Sequence, residues 1–161
     1  MEKVIFFLGS FVFLFVAISD FRTRRIPNEA IVVILLLAAV RIGLEGQPSA
    51  ALYTLAASTA LFAATFLLFW RGLLGGGDVK LMAATALLIG YKDLFSFLFV
   101  MSVCGGLVAL AVFAGDRLGR GSAAARARED QEPTDRLTVP YGIAISLAAT
   151  FTMFVQTSVP G

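Results

Sequence analysis

The sequence predicts an all-α membrane protein, a bundle of six transmembrane helices with both termini outside. Three observations carry that expectation. Of its 161 residues 58% are hydrophobic and 15% charged, whereas soluble domains hold about 45–50% apolar and about 25% charged residues. The mean hydropathy is +0.87. The apolar residues gather into six runs parted by polar or glycine-rich breaks, and lysine and arginine crowd into alternate breaks, as they do on the inner side of membrane proteins.

The runs, in order, are Val4–Ser19, Ala30–Leu44, Ala50–Trp70, Val79–Tyr91, Leu94–Gly115 and Val139–Val159. A full-length crossing takes about 17–25 residues. The first run is retained as a helix rather than read as a cleaved signal peptide, because its basic cluster (Arg22, Arg24, Arg25) follows the apolar stretch and no small-residue cleavage site ends it. Pro27 enforces a turn before the second run, with Asn28 as its N-cap. Trp70 and Tyr91 suit interfacial anchors. The fourth run is short: Val79 to Tyr91 spans about 20 Å as a helix, against a hydrocarbon core of about 30 Å. The expected solution is that "LLGGGD", residues 73–78, dips below the surface as irregular backbone surrounded by protein or a wet cavity.

Orientation follows from the cations. With the Asp20–Glu29 break inside, Arg22, Arg24, Arg25, Arg71, Lys80 and the five arginines of residues 116–138 fall inside, against Lys3, Arg41 and Lys92 outside. The net charge of +2 comes mostly from these anchors, so no nucleic-acid partner is inferred. Residues 116–138 mix arginines, acids, small residues and a proline, and read as a flexible cytosolic loop within one domain covering 1–161.

Composition also restricts the chemistry. Histidine is absent and Cys104 is the single cysteine, which excludes serine–histidine mechanisms, HExxH zinc sites, CxxC sites and disulfides. No metal and no cofactor are expected.

The carboxylates can then be sorted. Glu2 is terminal, Glu29 opens the second helix, Glu45 and Asp93 lie in outer turns, and five acids belong to the long loop. Asp20 and Asp78 remain, at the inner ends of the first and fourth helices, where antiparallel packing would bring them together. An acid near hydrocarbon is costly and usually functional. Two facing carboxylates share a proton, so one activates water while the other donates to a scissile carbonyl, the chemistry of aspartyl proteases. Structural readings remain open beside it: Asp78 as an N-cap, Asp20 paired with Arg24 one turn on, and Lys80 reaching for the interface rather than tuning Asp78. An ion-transporting pair and a non-catalytic assembly subunit are open too, although no second set of broken helices marks an inverted repeat.

"SDFRTRRIPN" (Ser19–Asn28) followed by "GGGDVKLM" (Gly75–Met82) resembles the paired signature blocks of the type IV prepilin peptidases, intramembrane aspartyl proteases of the GxGD type. The resemblance implies catalytic Asp20 and Asp78, the GxGD glycines Gly75 and Gly77, and a site further shaped by Pro27, Asn28 and Lys80. It implies a prepilin or pseudopilin precursor as substrate, cut between its basic leader and its hydrophobic helix at the cytosolic face of a bacterial inner membrane. Longer members carry an N-terminal domain with paired CxxC motifs and also methylate the new terminus. This chain starts at its first helix, so methylation is not expected, and it resembles the short peptidases of tight-adherence (Flp) pilus systems. Archaeal preflagellin peptidases share the same aspartate logic.

Overall fold

A computed structural model describes residues 2–23, 25–119 and 141–158. They form six helices: α1 Glu2–Thr23, α2 Asn28–Glu45, α3 Pro48–Trp70, α4 Gly76–Ile89, α5 Leu94–Gly119 and α6 Tyr141–Ser158. The expected helices are therefore all present among the described residues. Two of them, Lys3–Thr23 and Pro48–Trp70, are each long and apolar enough to cross a membrane.

Local chemistry places the breaks. Arg25–Pro27 is non-helical, and Pro27, at φ −66° and ψ 134°, occupies the N-cap position of α2. Asn28 is therefore the first helical residue, which corrects its expected role as the cap. Gly46 ends α2 in the left-handed region at φ 63°, the usual glycine stop, and Pro48 opens α3, where its missing N–H costs nothing.

The fourth helix departs most from expectation. It begins at Gly76, with Gly75 as its extended N-cap, so Gly76, Gly77 and Asp78 form its first turn and irregular backbone stops at Gly75. Glycine is a poor helix former, but packing decides here: Gly76 lies against the Phe69 ring and Gly77 against Ile26. At 14 residues the helix is about 21 Å long and still shorter than a hydrocarbon core.

Helices alternate in direction along the chain, and the contacts between packed pairs show it. In α1 against α6, Asp20 meets Gly142 and Gly9 meets Met153. In α3 against α4, Phe69 meets Gly76, and Ser58 Oγ donates to the Ala83 carbonyl at 2.8 Å. In α2 against α4, Asn28 pairs with Lys80 and Arg41 with Leu88, so those two run parallel. The α4 helix is the centre of the bundle, packed by α2, α3 and α6 and buried around most of its circumference. By contrast α1 packs chiefly on α6 and α2. The expected antiparallel relation of α1 and α4 holds in direction, but α6 and α2 mediate it.

The core joins Phe13, Val16, Ile34, Leu81, Leu88, Ile89, Phe97 and Ile145. Outward faces carry Phe7, Phe11, Leu52, Phe95, Phe99 and Leu107, all well exposed. Apolar patches of that extent mark a surface built for a medium other than water. Trp70 is 80% exposed at one end of α3, and Tyr91, tilted against Tyr53 at 5.6 Å between centroids, lies at the opposite end. Most of the 116–138 loop, together with Arg24 and its suggested pairing with Asp20, lies outside the described residues.

Candidate active site

One end of the bundle collects the site residues expected from the sequence: Asp20, Pro27, Asn28, Gly75, Gly77, Asp78 and Lys80. The turn between α1 and α2 is folded back first: Ser19 Oγ donates to the Arg25 carbonyl at 3.1 Å, and Thr23 Oγ1 to the Ser19 carbonyl at 2.9 Å. This brings Ile26 and Pro27 over the opening turn of α4. A Cβ on Gly77 would lie 3.3 Å from that of Ile26, so the glycine is what lets the two segments close. Two residues after Ile26 and three after Gly77, Lys80 Nζ donates to Asn28 Oδ1 at 3.5 Å. The two sequence blocks are thus in contact through Ile26–Gly77 and Asn28–Lys80. The Lys80 amine is exposed and aimed at Asn28, a geometry compatible with the reading in which it reaches for the interface.

Asp78 sits in the third position of α4, and its carboxylate accepts a hydrogen bond from the backbone N–H of Gly75. An acid there returns to the N-cap amide as the second half of a capping box does, with the helix dipole in its favour. This corrects the N-cap reading, since Asp78 caps from inside the helix. Its Oδ2 lies 2.8 Å from where a Gly75 Cβ would stand. Any side chain at residue 75 would therefore push the carboxylate aside.

Asp20 lies one turn inside the end of α1, which continues to Thr23, and is 5% exposed. Its carboxyl group is laid against the backbone of Gly142 at the start of α6, where a Cβ would come within 2.7 Å of Oδ2 and 2.8 Å of Cγ. The Asp20 charge acts directly on Asp78. So α1, α4 and α6 meet at two carboxyl groups, one buried and one half-buried, with the Ile26–Asn28 turn alongside.

Gly142 went unread in the sequence. A glycine at the opening of an apolar helix gives no sign of what packs on it, and the contact becomes visible once α1 and α6 are paired. Among the described residues no cluster of three or more His, Cys, Asp or Glu is placed to hold a metal ion.

Fold and site together define a class: an all-helical membrane protein with two interacting carboxyl groups gathered at one end. The model of the type IV leader peptidase family matches residues 7–110, well over half of the chain, and the protein belongs to that family. The matched stretch contains both aspartates and both sequence blocks, while α6 lies beyond it. No curated protein and no solved structure matches the chain.

Proposed function

We propose that this protein is a prepilin leader peptidase, an aspartyl endopeptidase that uses Asp20 and Asp78 as its catalytic pair. Its substrate is a prepilin or pseudopilin precursor, cut between the basic leader and the hydrophobic helix at the cytosolic face of a bacterial inner membrane, and the chain resembles the peptidases of tight-adherence pilus systems. All six helices cross the bilayer as one domain with both termini outside.

The observation that carries it is that the fold brings the buried Asp20 and the half-buried Asp78 to the same end of the bundle, near enough for the charge of one to bear on the other. Of two carboxyl groups sharing one proton, the ionised one takes a proton from water and the protonated one donates to the carbonyl oxygen of the scissile bond. The water oxygen attacks the carbonyl carbon. When the tetrahedral intermediate collapses, the C–N bond breaks, the leaving nitrogen takes up a proton, and the pair returns to its starting state. The Gly75 amide holds Asp78 during the cycle, and the precursor's helix lies beside the bundle in the lipid, which sets the scissile bond at the depth of the pair.

The test is leader removal from a co-expressed prepilin. Asp20→Asn and Asp78→Asn each abolish it while the protein still accumulates in the membrane, because asparagine keeps the volume and removes the ionisation. Near-normal cleavage by either variant would overturn the proposal.

A further inference from the structure

The end of the bundle opposite the aspartates carries a second polar cluster that the proposed chemistry does not use. A helix leaves its last carbonyls without intrahelical partners, and in α4 two of them are met by side chains from other helices. Arg41 Nη1, on α2, donates to the Leu88 carbonyl at 2.6 Å. Gln156 Nε2, on α6, donates to the Ile89 carbonyl at 2.9 Å and to Asp93 Oδ2 at 2.6 Å. Gly90, at φ +90°, makes room: a Cβ there would stand 2.7 Å from Arg41 Nη1 and 3.3 Å from its Cζ. The guanidinium therefore lies flat on the chain just past the helix, at the dipole end that favours a cation.

The same two helices that grip this far end also build the near end. The chain entering α2 presents Ile26 to Gly77 and Asn28 to Lys80, thirteen residues before Arg41. At the near end α6 presents Gly142 to Asp20, and at the far end Gln156 to α4. Between these ties, apart from the Ser58 Oγ bond from α3 to the Ala83 carbonyl, α4 meets its neighbours mostly through apolar side chains, which resist sliding along the helix axis far less than directional bonds do. The two helices that carry site residues, α2 and α6, hold α4 by side-chain bonds at its far end. A helix shorter than the bilayer also gains little axial definition from the lipid interfaces.

We propose that Arg41 and Gln156 are positioning residues for the peptidase reaction. By fixing the last turn of α4 to α2 and α6 they set the axial level of that helix, and with it the level of Asp78 relative to Asp20. A slip of one residue along the axis is about 1.5 Å, and misplacement on the order of 1 Å costs about a hundredfold in rate. This inference rests on the peptidase reading above, but its structural half can be measured without any activity.

The experiment uses full-length protein in detergent or lipid with Arg41→Met, Arg41→Lys, Gln156→Met and Gln156→Glu. Arg41→Met and Gln156→Met should each lower kcat by about tenfold or more with KM changed less than about twofold, since substrate contacts are untouched. Arg41→Lys, which keeps a donor for Leu88, should restore most of kcat. In parallel, spin labels at Phe21→Cys and Leu73→Cys in a Cys104→Ser background report the distance between the end of α1 and the entry to α4, both positions being well exposed. That distance distribution should shift or broaden by about 1.5 Å in the Met variants, one helical rise. Unchanged kcat, a rise in KM alone, or no rescue by lysine overturns the proposal. If Arg41→Met fails to accumulate, Gln156→Glu, nearly isosteric but lacking the amide donor, decides on the same readouts. A wild-type protein without peptidase activity whose label distance still moves in the variants would sink the functional reading and keep the clamp. A cleaving wild type with unmoved labels would sink the clamp alone.

Discussion

Gly142 and Asp20 are in direct contact, the glycine backbone on α6 forming the wall against which the Asp20 carboxyl group rests. No side chain fits between them. Gly142→Ala would put a methyl 2.7 Å from Oδ2 and 3.1 Å from Cβ of Asp20, and the latter, next to the α1 backbone, cannot swing away. Leader cleavage should fall about a hundredfold or more. Gly106→Ala, at a position open to space, is the control and should cleave as wild type does. Equal activity in both variants would mean that the Asp20 position is not critical.

A different response is expected at the opening of α4. Gly75→Ala meets the far end of the Asp78 side chain at 2.8 Å, so the carboxylate rotates and the bundle is spared. Activity should drop at least tenfold while the unfolding temperature in detergent stays near that of wild type. Gly77→Ala instead presses on the Ile26 stem at 3.3 Å, and the cost should show in stability as well, by about 1 kcal/mol. A lower unfolding temperature for Gly75→Ala than for Gly77→Ala would contradict this division.

If the aspartates act as one unit, the Asp20→Asn and Asp78→Asn losses should not add. The double variant should retain the residual rate of either single variant, measured by single-turnover cleavage of a prepilin peptide, because removing one member of a unit already removes the unit. The rate should also fall at both extremes of pH, with apparent values that belong to the pair. Losses that multiply would assign the two residues independent roles.

The bond between Lys80 and Asn28 is long and exposed, and bonds of that kind contribute little. Asn28→Ala should change stability by about 0.5 kcal/mol or less. Lys80→Gln should leave the pH–rate profile in place, since the amine faces Asn28. A profile displaced by half a unit or more would show that Lys80 acts on the pair.

Sidedness can be read with impermeant thiol reagents. In a Cys104→Ser background, a cysteine at Glu45, beyond Arg41 at the far end, should be labelled in intact cells, and one at Leu73, beside Gly75, should be labelled after lysis. The opposite pattern would put the aspartates on the wrong face for prepilin processing.

Much of this arrangement was legible in the sequence, and the reasons differ by residue. Asp20 and Asp78 announce themselves because a charge beside apolar runs needs an explanation, whatever the fold. The helix number was legible from the spacing of the apolar runs. The start of α4 was not, because three successive glycines have poor helix propensity and their helical state depends on Phe69 and Ile26, which come from elsewhere in the chain. Asn28 was misplaced by one residue because Pro27 itself takes the extended position before α2. Arg41 read as an ordinary outer cation and Gln156 drew no attention, since the partners that tie them to α4 are main-chain carbonyls. Such partners leave no complementary residue type in the sequence to pair with.

The pairing of α1 with α6 has a consequence for how the protein is made. The two helices lie in antiparallel register from Asp20–Gly142 to Gly9–Met153, so α1 is completed by a helix made well over a hundred residues after it. When α4 has emerged the nascent chain already holds both aspartates, yet the wall behind Asp20 and the amide that grips Ile89 are still unmade. Ribosome-bound intermediates that stop short of α6 should therefore be inert toward precursors inserted beside them, and hydrolytic competence should arise in one step, once α6 has joined α1.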